Sequence, residues 1–139
     1  MPEYKTRSEE ETIELGRRIA RGLPQKAVVL LIGNLGAGKT TLAKGIVSGL
    51  SAIDPEEVSS PTFTLIHEYG GGRVYHIDLY RLDTAKEVAT LGLDEVLDRE
   101  AVALIEWGER FPDLMPEKRI EIWLSAGEDD SRTIQVREL

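Results

Sequence analysis

An α/β fold, with helices covering a mixed sheet and an antiparallel strand pair near the C-terminus, is what the residue pattern of this 139-residue chain predicts. Three observations carry the expectation. Two runs, AVVLLI (27 to 32) and AVALIEW (101 to 107), are apolar almost throughout, as strands covered on both faces are. Around them, apolar residues recur at helical spacing. The tail changes character, because RIEIWL and TIQVREL alternate in polarity about the turn GEDDS, the pattern of a hairpin.

Taken in order, the first helix starts after Ser8. Ser8 and Glu11 have the spacing of a capping box, Ile13, Gly16, Ala20 and Leu23 recur on one side, and Gly22 and Pro24 mark the exit. AVVLLI then runs directly into GNLGAGKTT (33 to 41), after which Leu42, Ala43, Ile46, Val47 and Leu50 repeat as a second helix. SSPTFTLIHEY reads as a strand with a turn at Ser60-Pro61, and the glycines at 70 to 72 fold it back onto RVYHIDLYRL. That second segment places Val74, His76 and Asp78 on one side, Tyr75, Ile77 and Leu79 on the other, and ends as a strand near Asp78. Residues 84 to 99 suit one or two short helices, with Thr84 and Glu87 again at capping-box spacing, and AVALIEW ends as a strand at Glu106. No repeat, low-complexity tract or linker interrupts the chain, so residues 1–139 are read as a single domain.

Composition narrows the function. With 25 acidic against 17 basic residues and a net charge of -8, the chain lacks the clustered cations of a nucleic-acid footprint, and no direct DNA binding is expected. There is no cysteine, which removes disulfides and thiolate metal sites. The opening MPEYKTRSEEET is charged and unlike a signal, and AVVLLI is far too short to cross a bilayer, so a soluble, cytoplasmic protein without membrane contact is expected. A chain of this length holds one module and no separate substrate domain, so part of what it acts on is expected to lie on another protein.

The chemistry is concentrated at GNLGAGKTT. Gly33, four residues, then Gly38, Lys39 and Thr40 have the spacing of a phosphate-binding loop, and the strand before and helix after supply the context that motif requires. Glycines let main-chain N–H groups turn inward around an anion, and the helix adds the positive end of its dipole. Lys39 brings a charge to the outer phosphates and the Thr40 hydroxyl suits Mg2+. The fold class becomes a P-loop NTPase-like three-layer sandwich. In such a sheet ligands sit beyond the carboxyl ends of the strands, where Gly33, Asp78 and Glu106 all fall.

Asp78 and Glu106 are therefore the candidate metal carboxylates, alongside Thr40. Glu106 has a second catalytic reading, orienting the attacking water, and a plain one, a buried acid paired with an arginine such as Arg110. Asp78 could equally cap a turn. Thr62, in SPTFT, suits either a switch that senses the terminal phosphate or an ordinary strand position. Trp107 reads as packing on its own chemistry, and His67 and His76 as structural or surface residues. No NKxD-like base-reading segment is present, which favours ATP over GTP.

Together ETIELGRRIA, GNLGAGKTT, SPTFTL, YHIDLYRL and IEWGER, in this order over residues 8 to about 110, resemble the TsaE (YjeE) family, the ATPase component of bacterial tRNA threonylcarbamoyladenosine biosynthesis. Asn34 departs from the acidic residue that many relatives carry. The last thirty residues or so match only as a plausible strand pair. The resemblance implies a Mg-ATPase, weak alone, that binds a TsaB-TsaD heterodimer and resets it between rounds, touching tRNA only indirectly. It also implies that Lys39, Asp78 and Glu106 serve catalysis, that Leu35, Gly36, Ala37, Gly38 and Thr41 complete the cradle, that Trp107 joins the functional set, and that Glu9 lies near the nucleoside. Two rival readings remain: a small P-loop kinase with a metabolite acceptor, for which Arg81 and Arg99 would have to serve a largely acidic lid, and a nucleotide-sensing adaptor in which Thr62 and Asp78 move.

Overall fold

A computed structural model of the protein describes residues 2–58 and 65–139. Its strands are β1 (Glu3–Thr6), β2 (Ala27–Ile32), β3 (Ile66–Tyr69), β4 (Val74–Asp78), β5 (Val102–Glu106), β6 (Ile120–Ala126) and β7 (Arg132–Glu138); its helices are α1 (Glu9–Arg21), α2 (Lys39–Ser51), α3 (Ala85–Thr90) and α4 (Leu93–Leu97). All the strands join one sheet in the order β1-β7-β6-β2-β5-β4-β3. Within it β4, β5, β2 and β6 run parallel, while β3 against β4, β7 against β6 and β1 against β7 are antiparallel. The sheet is mixed, and its C-terminal strand pair is attached in parallel to β2.

β2 is apolar on both faces because both are covered. Val29 and Leu31 enter a core with Leu15 of α1 and Leu42, Ile46 and Val47 of α2. Leu30 and Ile32 enter the opposite core with Val88, Leu93 and Val96 of α3 and α4, and with Phe111 and Met115. Each such side chain fully removed from water contributes about 1.5–3 kcal/mol, which fixes the central strand and hence the loop that follows it. Helices on both faces give the three layers.

α1 and α2 meet backbone to backbone. A methyl group placed on Gly16 would stand 2.6 Å from the Leu42 carbonyl oxygen, and one on Gly45 would overlap the Ile13 carbonyl. Glycine is required there by space rather than by torsion angle. The face of α1 turned inward is Thr12, Leu15, Gly16 and Ala20, whereas Ile13 and Leu23 are only partly buried, so the stripe expected from the sequence is rotated by about one residue. Ser8 caps the helix by accepting from the Glu11 N–H, but the Glu11 carboxylate accepts from the Arg7 N–H instead of closing the box on Ser8. At Thr84 and Glu87 both halves of the box form.

β1 was not expected. Its sequence, EYKT, shows no apolar alternation, and pairing with β7 over Glu3↔Gln135 to Thr6↔Arg132 creates the strand. The Thr6 hydroxyl then meets the Thr12 hydroxyl at 2.7 Å, tying this edge to α1. The turn expected at Ser60-Pro61, and Thr62 with it, lie outside the described residues. Among the described residues no helix is long and apolar enough to cross a membrane.

Candidate active site

The loop between β2 and α2 opens onto a cleft of about 490 Å³ lined by Leu35, Gly36, Gly38, Lys39, Thr40, Thr41, Asp78, Tyr80, Glu106, Trp107 and Arg132. Gly36 and Gly38 adopt φ of 78° and 100°, the left-handed region that a side chain disfavours, and this turns the loop around its own amides at the start of α2. No room exists for a side chain at Gly33, where a methyl would stand 2.5 Å from the Leu124 carbonyl oxygen of β6. Leu35 is exposed at the rim, whereas Ala37 is buried behind the loop, its N–H donating to the Asn34 carbonyl. A larger hollow of about 970 Å³ lies at the other end of the parallel strands, between Ala27, Leu97, Met115 and Leu139, with no glycine-rich loop opening on it. Convergent polar chemistry, not size, marks the smaller cleft.

Lys39 is buried and already engaged. Its Nζ donates to the Gly33 carbonyl at 2.8 Å and stands 3.4 Å from the centre of the Trp107 ring. Trp107 itself takes a left-handed φ of 68° at the end of β5, which swings its ring over the cleft, where Tyr80 packs against it with ring centres 5.1 Å apart. Burial lowers the Lys39 pKa, and the charges of Glu106, Glu109 and Asp78 oppose that shift.

The acids arrive together because their strands are neighbours. Asp78 of β4 and Glu106 of β5 are register partners at the carboxyl ends of parallel strands. Asp78 accepts from the Tyr80 N–H at 2.9 Å, and burial raises its pKa, with the Glu106 charge adding to the effect and the Tyr80 N–H opposing it. Glu106 Oε2 accepts from the Thr40 hydroxyl at 3.3 Å and meets His76 Nε2 at 2.6 Å. Arg110 is not its partner: that guanidinium donates to the Tyr80 carbonyl and lies 3.7 Å from Asp83. His76 is therefore no surface residue; it is fully buried against Glu106. Glu109, whose pKa burial also raises, adds a further acid near Lys39.

Lys39, Thr40, Thr41, Asp78, Glu106 and Trp107 thus share one cleft. Glu9 does not line it; it stands exposed in the first turn of α1. Sequence reading missed Tyr80 and Arg132. Tyr80 was visible only as two residues beyond Asp78, and Arg132 reaches Gly38 because β7 returns beside β6. Among the described residues no three His, Cys, Asp or Glu side chains form a closed metal cage. Two carboxylates and a hydroxyl are instead a hard, all-oxygen set that leaves coordination positions for phosphate and water, the arrangement Mg2+ accepts.

Comparison with known proteins gives a consistent result. Residues 6–134 match the family model described as threonylcarbamoyl adenosine biosynthesis protein TsaE. The protein named tRNA threonylcarbamoyladenosine biosynthesis protein TsaE from Nostoc sp. is 42% identical over 135 residues, spanning 91% of this chain and 80% of its own. Its namesake from Treponema pallidum is 39% identical over 132 residues, spanning 94% and 96%. The crystal structure of Bacillus subtilis YdiB superimposes with a TM-score of 0.76 at 34% identity, covering 96% of this chain and 82% of that one.

Proposed function

Since the chain belongs to the TsaE family, with its role in tRNA threonylcarbamoyladenosine biosynthesis, we propose that it is a Mg-dependent ATPase that binds and resets a TsaB-TsaD complex in that pathway. The observation that carries the ATPase reading is the meeting of a phosphate-binding loop with two strand-end carboxylates, Thr40 lying 3.3 Å from Glu106. Main-chain amides of Leu35 to Gly38 hold the phosphates, and Lys39 leaves Trp107 to reach the outer ones. Thr40, Asp78 and Glu106 are the residues that would hold Mg2+, which when bound neutralises charge on the phosphate oxygens. Glu106, whichever of its roles dominates, supplies an oxygen next to the terminal phosphate, either toward the metal or toward the attacking water. Tyr80, Leu35 and Trp107 form an apolar rim that a partner protein can cover, excluding bulk water.

Phosphate release tests this with ATP alone, with candidate metabolite acceptors, and with the purified TsaB-TsaD pair. The expected result is slow hydrolysis that the pair stimulates. Stimulation by a metabolite alone would establish the kinase reading, and no hydrolysis in any mixture the adaptor reading. Glu106→Ala separates the two roles of that residue: a fall in kcat at unchanged Mg-ATP affinity assigns it to water or the transition state, and a parallel loss of affinity assigns it to the metal.

A further inference from the structure

His76 lies on the same face of the sheet as Asp78 and Glu106, since its register partner on β5 is Leu104 and Glu106 is two residues further on. That face is otherwise apolar: Val74, Val102 and Leu104 enter the core shared with α2. The imidazole is 0% exposed. Its Nε2 stands 2.6 Å from Glu106 Oε2, while Nδ1 has no hydrogen-bond partner among the described residues. Among the described residues a proton on Nδ1 would have no acceptor, whereas Nε2 faces a carboxylate, so the hydrogen is assigned to Nε2, which donates it to Glu106. A buried ring with one nitrogen unsatisfied is a poor choice for stability, and an apolar residue like its neighbours would pack there without that cost. The Nε2 end has to account for its presence.

We propose that His76 is a positioning residue of the ATPase site: by donating Nε2–H to Oε2 it holds the Glu106 side chain in one rotamer, leaving Oε1 as the oxygen turned to nucleotide chemistry. This rests on the ATPase reading of Glu106 given above. Oε2 has two donors, the Thr40 hydroxyl and the imidazole. The Thr40 oxygen would also suit a metal, and its O–H can donate to Glu106 whether or not a lone pair of that oxygen is coordinated. Of the two donors the imidazole is the fully buried one, and the enclosing core fixes its position. Carboxylates that act on metal or water need such orienting partners to keep their productive geometry.

The test uses the full chain with the TsaB-TsaD pair, comparing His76→Gln, His76→Asn, Glu106→Ala and the double variant His76→Asn/Glu106→Ala. Gln places an amide N–H near the position of Nε2, whereas Asn places one near Nδ1, so the two differ in geometry at similar polarity. His76→Asn should lower kcat by about ten- to hundredfold, with Mg-ATP affinity changed much less, and His76→Gln should recover most of that loss. In the Glu106→Ala background His76→Asn should add no further loss. The two histidines of the chain also give a simple ring-nitrogen NMR spectrum without nucleotide. There His76 should show the Nε2–H tautomer with a downfield, slowly exchanging proton that Glu106→Ala abolishes. Equal losses in the Asn and Gln variants, tracking a common fall in melting temperature, would mean a merely structural role and overturn the proposal. So would full activity in His76→Asn while Glu106→Ala is impaired. If Glu106→Ala itself turns over normally, the ATPase reading of that residue fails first. Should His76→Asn not fold, the ring spectrum decides, and an Nδ1–H tautomer refutes the inference.

Discussion

Lys39→Ala should weaken Mg-ATP binding by roughly thirtyfold, a figure set by what the ammonium gains on the phosphates less what it already has. A hydrogen bond to an ionised group is worth about 1.5–3 kcal/mol, so two to the outer phosphates offer about 4 kcal/mol. Against this stand the resting contacts: the 2.8 Å bond to the Gly33 carbonyl and the approach to 3.4 Å over Trp107, together about 2 kcal/mol. The remainder, about 2 kcal/mol, corresponds to the stated change in Kd. Although burial lowers the Lys39 pKa, the anionic phosphates act in the same direction as Glu106, Glu109 and Asp78 and keep the proton on. Isothermal titration with ATP, ADP and AMP reads the effect, with melting temperature as the control for folding. The loss should be largest for ATP, smaller for ADP and close to absent for AMP. Unchanged ATP affinity, or the same loss for all three nucleotides, would refute the placement of Lys39 on the outer phosphates.

Gly45→Ala should destabilise the fold by about 1–3 kcal/mol, read as a lower melting temperature, because its methyl group overlaps the Ile13 carbonyl; an unchanged value would show that α1 and α2 are not in backbone contact. Asp78→Asn should raise the melting temperature of the nucleotide-free protein at neutral pH while abolishing hydrolysis. Burial raises the Asp78 pKa in the folded state, so the stability linked to that proton is present at acidic pH and lost as pH rises through the raised value. The gain from Asn should therefore fade as pH falls into the ordinary aspartate range, and a gain that grew on acidification would reverse the sign. Thr40→Val keeps the shape but removes the hydroxyl, and should abolish the increase in ATP affinity produced by Mg2+ while sparing metal-free binding. Undiminished Mg2+ dependence would remove Thr40 from the metal set.

The central unit of the fold was legible because its signals are local. AVVLLI, the glycine spacing and the helical repeat after it specify β2, the loop and α2 without reference to the rest of the chain. Asp78 and Glu106 could be placed at strand ends for the same reason, but that they are register partners follows from β4 lying beside β5, which strand order decides. The plain alternative for Glu106 looked to Arg110 and passed over His76 for this cause. Arg110 is near in sequence, while His76 comes from another strand, thirty residues away. Arg132 was hidden behind two changes of direction, β6 joining β2 and β7 folding back beside it. β1 had no pattern of its own, since EYKT is a strand only where β7 offers an edge. Local chemistry reads directly from a sequence, and contacts that depend on topology do not.

The glycine crossing of α1 over α2 has a mechanical consequence. Two backbones in contact at Gly16 and Gly45 leave no side chains between them to change rotamer, so neither helix can slide past the other without separating. A push on the N-terminal end of α2 would thus reach α1 as a movement of one stiff bar. The opposite layer is held through side chains instead, Leu93, Val96, Phe111 and Met115 meeting in one apolar cluster.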